Sequence, residues 1–291
     1  MCKDLLHNPI PKNQHDEETS QNQLVSIIIP TKNSESYLNE CLTFIKQQTH
    51  PNIETIIVDS YSKDNTQTMA QTNNTIFIQQ KGTAAKARNT GIKQSKGKYI
   101  FLLDADHLIP PNTVKTCIET IQKNNIEALI LPEKSITTSS WGKIIAFEHN
   151  LIAEEPSLAM PRFFKAEVLT QLGEDEDLVF GEDWDLYQRF KKQHFKAVVS
   201  TEHILHKETD SLSKILIKNI FYGRAFKKLV KKQGATIYRR YTFLPVPTKK
   251  FIKHTINHPS VGAGFIFLRF FRILFFLIGV TTSFVRKDNG E

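Results

Sequence analysis

The sequence predicts an α/β protein whose mostly parallel sheet is covered by helices on both faces. From residue 24 to about residue 208, apolar segments of strand length alternate with segments whose apolar residues recur at helical spacing. The strand segments are nearly continuous in Val, Ile and Leu, which is typical of parallel strands buried on both faces. A length of 291 residues with 40% hydrophobic and 23% charged residues indicates a folded domain and excludes an intrinsically disordered chain.

The predicted elements alternate regularly as far as residue 133. The first strand, "LVSIIIPTKN" at 24–33, precedes a helix in "SESYLNECLTFIKQQTH" that Ser34 or Ser36 is expected to cap. Further strands are predicted at 53–66 (a strand with its turn), 75–80, 98–104, 127–133, 159–164 and 196–206. Further helices are predicted around Met69 and at 83–97, 111–124, 140–155, 165–173, 180–193 and 211–232.

Two aspartates end the buried strand "KYIFLLDADH" at 98–107. Because alternate side chains of an extended segment share a face, Asp104 and Asp106 are expected to point the same way. Ligands of open α/β sheets bind beyond the carboxyl ends of the strands. Paired carboxylates at that edge suit Mg²⁺ or Mn²⁺ bound together with the phosphate oxygens of a ligand. The alternative is that the two acids cap the helix that follows Pro110 and Pro111, since short D-x-D matches are common by chance.

Other polar residues are expected near the same edge. Asp59 ends the second strand, where it either accepts a hydrogen bond from a ribose or base or serves, like Asp64, as a turn residue. Lys86 and Arg88 lie on the helix before the acidic strand, and one of them faces either a diphosphate or solvent. Three acids of "GEDWD" open another helix, where the helix dipole favours acids in any case: Glu182, Asp183 and Asp185.

Together these segments resemble glycosyltransferase family 2. "VSIIIPTKN", "IIVDSYSKDNT", "AAKARNTGI", "GKYIFLLDADH" and "GEDWDL" stand in that family's order and spacing, from residue 24 to about residue 208. The resemblance implies a Rossmann-like A-type glycosyltransferase fold, one nucleotide-sugar site, a divalent cation (Mn²⁺ or Mg²⁺) and inversion at the anomeric carbon. Residues 23–208 are then expected to be the catalytic domain, with a nucleotide-binding part at 24–133 and an acceptor part at 134–208.

Five residues are expected to contact the nucleotide-sugar donor, and the resemblance implies these roles for all of them except Arg88, which is expected from its place on the helix before the acidic strand. Asp59 resembles the acid that reads the nucleobase and Asp104 the acid near the ribose, while Thr31 is expected beside the base or the ribose. Arg88 is expected to face the diphosphate. Arg162, in "AMPRFF", lies in the acceptor-side region and is expected to contact donor phosphate or an anionic acceptor.

For the metal and the catalytic step, the resemblance implies four further roles. Asp106 resembles the metal ligand, and His206 in "ILHKE" resembles the histidine that reaches the metal or the diphosphate. His203 is a rival for that role, and a packed or solvated histidine is the alternative. Asp183 resembles the catalytic base that takes the proton of an acceptor hydroxyl as it attacks C1, with Glu182 as its neighbour on the acceptor side.

Three other functions stay open. A polyprenyl-phosphate glycosyl synthase of the same family uses an acceptor that is already ionised, so the presence of Asp183 favours a hydroxyl on a glycan or lipid-linked saccharide instead. A nucleotidyltransferase also uses paired aspartates and a metal, but "IPTKNSES" lacks a glycine-rich phosphate loop. A catalytically inactive scaffold is disfavoured by the joint presence of the four aspartates. The motifs do not separate UDP-sugars from GDP-sugars.

The two ends of the chain differ in charge. Residues 1–22 are polar and are expected to form a disordered tail without a signal peptide. Three separated cysteines, Cys2, Cys41 and Cys117, indicate the reduced thiols of a cytosolic protein. After His206 there are 17 Lys and Arg against 4 Asp and Glu, whereas the first 206 residues carry 21 against 26. The basic C-terminal third therefore predicts an anionic surface as a partner.

The extension at 209–291 is predicted to be helical and to associate with a membrane. Segment 211–232 combines apolar and basic residues in the pattern of a helix on an anionic membrane, or of a helix packed on the catalytic domain. The charge-free run from Ile273 to Val285 has 13 residues, whereas a span takes about 20, so 265–285 is expected to lie in the interface. This much Phe and Leu disfavours nucleic acid. The expected location is cytoplasmic, peripheral on the inner face of the cell membrane.

Overall fold

The computed structural model describes residues 22–137, 139–153, 159–209, 211–234 and 248–285. Apart from residue 22, the predicted N-terminal tail lies outside these ranges. The described residues form the strands β1 (Val25–Thr31), β2 (Ile53–Asp59), β3 (Ile76–Gln79), β4 (Tyr99–Leu102), β5 (His107–Leu108), β6 (Ala128–Ile130), β7 (Glu133–Ile136), β8 (Pro161–Lys165), β9 (Ala197–Val199) and β10 (Ile204–Lys207). They form the helices α1 (Glu35–Lys46), α2 (Thr66–Thr72), α3 (Ala84–Gln94), α4 (Thr113–Asn124), α5 (Ser140–Ala153), α6 (Ala166–Leu172), α7 (Glu182–Lys192), α8 (Leu212–Gln233), α9 (Thr248–Asn257) and α10 (Pro259–Val285).

A seven-stranded sheet in the order β3-β2-β1-β4-β8-β6-β9 organises the domain. Strands β3, β2, β1 and β4 pair in parallel, and β9 pairs in parallel with β6. Strand β8 alone among these seven runs antiparallel to both of its neighbours. The helices between the parallel strands return the chain to the same edge, so the strands end together there. The prediction of an α/β fold with a mostly parallel sheet is confirmed.

A second sheet of three short strands, β5-β10-β7, lies beside the large one. It pairs β10 antiparallel to β5 and parallel to β7, so that His206 lies opposite His107 on one side and Ser135 on the other. The prediction of one strand at 196–206 was wrong. Residues 197–199 join the large sheet and 204–207 the small one, because the polar segment 200–203 bends between two apolar runs.

Both faces of the large sheet are buried, as the apolar strand sequences require. Ile27 and Ile29 of β1 pack on one face with residues of α1 and α4. Ile28 points to the other face, where it packs with residues of α3, α6 and α7. Gly91 of α3 lies so close to Ile28 that a methyl group in its place would overlap the isoleucine side chain. Two helical layers thus fix the sheet edge at which the strands end.

The helices after residue 211 pack on this domain and on each other. α8 rests on the segment before α7, where Phe226 and Leu229 form a buried cluster with Leu178. α10 lies along α8, and at Gly223 and Gly279 the two backbones cross so closely that a methyl on either glycine would overlap a carbonyl oxygen of the other helix. Small residues permit such close approach of helix backbones.

Candidate active site

A turn after β4 carries the two aspartates of the acidic motif. The amide N–H of His107 donates to the carbonyl of Asp104 at 3.0 Å, so Asp104 and Asp106 flank a turn between β4 and β5. The prediction that they share one face of an extended strand was therefore wrong, although both carboxylates approach the His107 ring at 3.9 Å. Neither acid caps the next helix, since the N-cap of α4 is Asn112.

Asp104 is held between two arginines. Its Oδ1 accepts from Arg88 Nη2 at 2.7 Å, and its Oδ2 accepts from Arg162 Nη1 at 3.1 Å. Arg162 also donates to Glu133 Oε1 through Nη2 at 2.7 Å and through Nε at 3.1 Å. Burial would raise the pKa of Asp104, but the charges of Arg88 and Arg162 hold it well below its usual range. Asp104 is therefore an ionised and rigidly oriented carboxylate.

Arg88 is buried and pairs with three carboxylates at once. Its Nη1 lies 3.2 Å from Glu174 and 3.2 Å from Glu182, in addition to the Nη2 bond to Asp104. One guanidinium does not neutralise three acids, so desolvation raises the pKa of buried Glu174 to about 7 and raises the pKa of Glu182 as well. Arg88 thus lies inside an ion network, where it orients Asp104, and does not project from an exposed helix face.

Asp106, His107 and His206 form a group that can hold a metal ion. Their potential ligand atoms all lie within 4.8 Å of one another. Asp106 Oδ2 is 3.4 Å from His206 Nε2, and the two imidazole rings meet edge to face at 5.0 Å between centroids. Burial lowers the pKa of His107 and so favours the neutral ring that a metal requires. One carboxylate oxygen and two imidazole nitrogens are donors that fit a divalent cation.

A buried acid lies behind His206. Glu208 has 4% of its side chain exposed, and its Oε1 is 3.5 Å from His206 Nδ1, on the far side of the ring from Asp106. His149 Nδ1 and the Ser135 hydroxyl also donate to Glu208. Burial would lower the pKa of His206, but the hydrogen bond and charge of Asp106, helped by Glu208 and Glu133, raise it to about 9. Glu208 thus directs Nδ1–H of His206 toward itself, which turns Nε2 toward Asp106.

The acids that open α7 have different surroundings. Asp183 lines a pocket together with Arg88, Arg162, Glu174 and Tyr187, among others. Its Oδ1 accepts from the amide N–H of Trp184 at 2.7 Å. The third acid of the motif, Asp185, is buried and pairs with Arg189 Nε at 2.7 Å. Asp185 thus has a structural role, whereas Asp183 faces the same space as the two arginines that hold Asp104.

Thr31 and Asp59 meet at the ends of β1 and β2. The Thr31 hydroxyl donates to Asp59 Oδ1 at 2.9 Å, and the amide N–H of Ser62 donates to Asp59 Oδ2 at 2.7 Å. Asp59 is fully buried. A separate open pocket at the ends of these strands and of β3 is lined by Lys32, Ser60, Tyr61, Lys81 and Gly82. Asp59 therefore holds the loop that borders this pocket.

The structure thus brings most of the predicted residues to the strand ends, in two groups. Thr31 and Asp59 border the pocket at the ends of β1–β3, and the rest surround the turn after β4: Arg88, Asp104, Asp106, Arg162, Glu182, Asp183 and His206. His203 is not part of the metal-binding group. Sequence reasoning missed five members of the second group: His107, Glu133, His149, Glu174 and Glu208. His107 follows Asp106 directly in the chain and Glu133 ends the apolar segment "EALILPE", and these positions are the signals that could have found them.

Residues 26–170 match the model of the family described as Glycosyl transferase family 2. The Streptococcus pneumoniae serotype 4 protein named glycosyltransferase GlyG is 36% identical over 115 residues, which cover 37% of this chain and 38% of that protein. The chain belongs to glycosyltransferase family 2. The match spans less than half of each chain, so the likeness concerns only part of that relative.

Solved structures share the fold of almost the whole chain. The Pyrobaculum calidifontis mannosyltransferase PcManGT, in complex with GDP-Man and Mn²⁺, has a TM-score of 0.61 and 16% identity, covering 90% of this chain and 87% of its own. S. aureus TarS 1-349, in complex with UDP-GlcNAc, has a TM-score of 0.52 and 15% identity, covering 91% of this chain and 92% of its own. The predicted A-type glycosyltransferase fold is confirmed by these neighbours.

Proposed function

We propose that this protein is an inverting glycosyltransferase that moves a sugar from a nucleotide-diphosphate sugar to an acceptor hydroxyl. The observation that carries the proposal is the joint placement of Asp106 with His206, and of Asp104 with Asp183, around one strand edge of a family 2 fold. Family membership and fold limit the chemistry to glycosyl transfer, and the geometry supplies residues for each part of that reaction.

Asp106, His206 and His107 are the residues that would hold a divalent cation. When bound, such an ion supplies positive charge that stabilises the departing nucleotide diphosphate. A donor set with two imidazoles suits Mn²⁺ better than Mg²⁺, which prefers oxygen ligands only. The GDP-Man complex of the mannosyltransferase also contains Mn²⁺, which supports the choice. We therefore propose Mn²⁺ as the better of the two cofactors.

Thr31 and Asp59 are proposed to fix the nucleoside half of the donor. They hold the loop around the pocket of Lys32, Tyr61 and Lys81, whose positive charges suit an anionic nucleotide. Asp104 is ionised and held by Arg88 and Arg162, and it is proposed to accept hydrogen bonds from the ribose. Both UDP-sugars and GDP-sugars are chemically suitable, and neighbours of the same fold are complexed with UDP-GlcNAc and GDP-Man.

Asp183 is proposed as the general base. It lines a small pocket beside Arg162 and Glu174, on the same side as Asp104, and so faces the region in which an acceptor hydroxyl would approach the donor. Arg88 and Arg162 are proposed to act by orienting Asp104, because both are paired with carboxylates and direct contact with phosphate would disrupt those pairs. A base is needed for a hydroxyl acceptor, so a glycan or a lipid-linked saccharide is the proposed acceptor.

The proposal is tested by the thermal stability of the protein with UDP-, GDP-, dTDP- and CMP-sugars, with and without Mn²⁺. A ligand at 100 times its Kd stabilises by about 2.7 kcal/mol, which is a readable change in Tm. A shift that requires one nucleotide class and Mn²⁺ is expected in the wild type, and its loss is expected in Asp106→Ala. Glu167→Gln, at an exposed position on α6, is the matched control. No shift with any donor would contradict the proposal.

The activity of Asp183→Asn distinguishes the proposed function from the alternative, a polyprenyl-phosphate glycosyl synthase. A phosphate acceptor is already ionised, so that enzyme would keep most of its rate in the variant. A hydroxyl-glycosylating enzyme is expected to lose about 10²–10⁴-fold in kcat. Donor binding, read as the same change in Tm, should stay at the wild-type level. Loss of donor binding together with activity would mean that Asp183 contacts the donor and is not the base.

We also propose that the protein works in the cytoplasm, at the inner face of the cell membrane. α8, α9 and α10 together carry twelve Lys and Arg residues and no Asp or Glu, which favours attraction to anionic lipid. Separation of cell lysates into membrane and soluble fractions tests this. Release from membranes by alkaline wash is expected for a peripheral protein, and resistance to that wash would contradict the proposal.

A further inference from the structure

An unusually apolar surface runs along α10. Seven of its large apolar side chains are exposed, at positions that recur with helical spacing on one side of the helix: Ile266, Phe267, Phe270, Ile273, Leu274, Leu277 and Ile278. Phe267 and Phe270 are 51% and 62% exposed. α8 adds exposed Ile217 and Phe221, one helical turn apart, and α9 adds Ile252 and Ile256 with the same spacing. Contiguous apolar surface of this extent marks an interaction site.

Basic residues share the exposed side of α8 with those apolar residues. Lys214 and Arg224 lie three residues from Ile217 and Phe221 respectively, which places them on the same helical face. The guanidinium of Arg224 lies 6.0 Å from the ring centroid of Phe221. A face that combines large apolar side chains with a uniform positive charge fits an anionic lipid surface, because lipid offers both acyl chains and negative headgroups.

α10 is long and apolar enough to cross a bilayer by length and composition, over Pro259–Ser283. Its packing argues for a different arrangement. Ile215 of α8 and Leu268 of α10 belong to one buried cluster, and further along both helices Gly223 meets Gly279, so the two helices run side by side in the same direction. If α10 crossed the membrane in this arrangement, α8 would have to follow with seven Lys and Arg residues, at a prohibitive cost.

α8 also packs on the segment that precedes Asp183, the proposed general base. Tyr222 stacks on Phe180 with ring centroids 4.3 Å apart, and Phe226 packs beside Trp184 and Leu178. Lys228 pairs with Asp177 at 3.3 Å. The same helix therefore faces the exposed apolar surface on one side and the loop before Asp183 on the other.

We propose that α8 and α10 form one unit that lies in the plane of an anionic bilayer, with the exposed stripe of α10 inserted among the acyl chains. Docking in this orientation places the loop before Asp183 about one helix diameter, roughly 10 Å, above the membrane surface, within reach of the hydroxyl of a lipid-linked saccharide. Only this last step, the class of acceptor, rests on the proposed function. Membrane binding itself is measured without any donor, so a failure of the docking proposal does not imply a failure of the proposed function, nor the reverse.

Vesicle co-sedimentation tests the docking surface. The full chain is mixed with vesicles of phosphatidylcholine alone or with added phosphatidylglycerol, at low and high salt. Binding is expected only with phosphatidylglycerol, and it should weaken with salt. The double variant Phe267→Ser with Phe270→Ser is expected to lower the partition coefficient by about tenfold or more. Lys214→Gln with Lys231→Gln, at two exposed positions of α8, should lower the partition coefficient by about fivefold per residue removed.

The matched control is Ile76→Ser with Val198→Ser. These residues are 40% and 36% exposed and lie on the two edge strands of the large sheet, away from the helical surface. The control is expected to bind as the wild type does. Binding that is absent, equal with neutral vesicles, or unchanged by the phenylalanine substitutions would overturn the proposal. A stable dimer of the lipid-free protein, lost in the phenylalanine variant, would instead assign the surface to a second copy and would also overturn it.

The depth of insertion shows whether α10 lies in the plane of the bilayer or spans it, and single tryptophan substitutions measure that depth. Tryptophan is placed by Phe270→Trp or by Leu277→Trp, and its quenching by lipids brominated near the headgroup or near the chain end is compared with that of the wild type. Two turns separate the positions, about 10 Å along a helix axis. Equal and shallow depths are expected for a helix in the plane. Depths that differ by the full spacing would show a spanning helix and overturn the proposal.

Discussion

The close crossing of α8 and α10 predicts that Gly223→Ala destabilises the protein, although the same change stabilises an isolated helix. Alanine at a helix interior is favoured over glycine by about 1 kcal/mol, so Gly223→Ala would stabilise an isolated α8. In the folded protein its methyl carbon would lie 2.9 Å from Gly279 Cα and would overlap the Phe276 carbonyl oxygen. Carbon atoms pack at about 3.5–4.0 Å, so the two helices must separate by roughly 1 Å.

The clash involves backbone atoms of two helices, which have no rotamer through which to escape. Overpacking of this kind costs about 1–3 kcal/mol, and separation also weakens the contact of Phe226 with Phe276, whose ring centroids lie 5.1 Å apart. After the gain in helix propensity, we expect a net loss of about 1–2 kcal/mol in the free energy of unfolding. Chemical denaturation followed by circular dichroism measures it, provided that the transition is cooperative.

Gly264→Ala is the matched control on α10. Its methyl carbon would meet the Cδ1 atom of Ile144 at 2.5 Å, and this is the end of a flexible side chain that can rotate away. The control should therefore be neutral or slightly stabilising. The reasoning is refuted if Gly223→Ala is as stable as the wild type, or if both variants lose the same amount. The first outcome would mean that α8 and α10 do not touch in solution.

Three further predictions concern the ion network and the metal site. Glu208→Ala should lower Mn²⁺ affinity by about 10–100-fold, because His206 loses the acceptor behind its Nδ1 that orients its ring. In isothermal titration, an affinity within twofold of that of the wild type would contradict this. Because the pKa of Glu174 is raised to about 7 in the fold from a usual 4.5, its contribution to stability is present below about pH 4.5 and lost as the pH rises through 7. Glu174→Gln should therefore gain stability relative to the wild type between pH 5 and 8, and a constant or falling difference in urea denaturation would contradict the assignment. Arg88→Gln should destabilise by about 3–5 kcal/mol at pH 7, because Glu174 and Glu182 lose the cation they pair with and Asp104 loses one of its two. The loss should be smaller at pH 5, below the pKa of about 7 that Glu174 has in the fold, and an equal loss at both pH values would count against the network.

Some residue roles could be predicted from the sequence, and others depended on contacts that the sequence does not reveal. Asp106 and His206 were predicted as metal ligands from separate motifs, and the structure places them 3.4 Å apart. Arg88 was predicted to face a diphosphate, because a helix sequence shows only that a charge is present. Its partners Glu174 and Glu182 lie 86 and 94 residues further along the chain, a separation that no local pattern can reveal.

The sequence by itself determined the elements and the edge at which the site is built. Apolar runs of strand length, acids directly after them and helical spacing between them are local patterns, so their reading requires no knowledge of distant contacts. Strand order, the division of 196–206 between two sheets and the pairing of Asp104 with two arginines were decided only by the tertiary structure. The orientation of α10 was also decided only by the tertiary structure. Its length and composition allow a membrane span, and its crossing with α8 at Gly223 and Gly279 favours an in-plane arrangement, because the basic helix beside it cannot enter the bilayer.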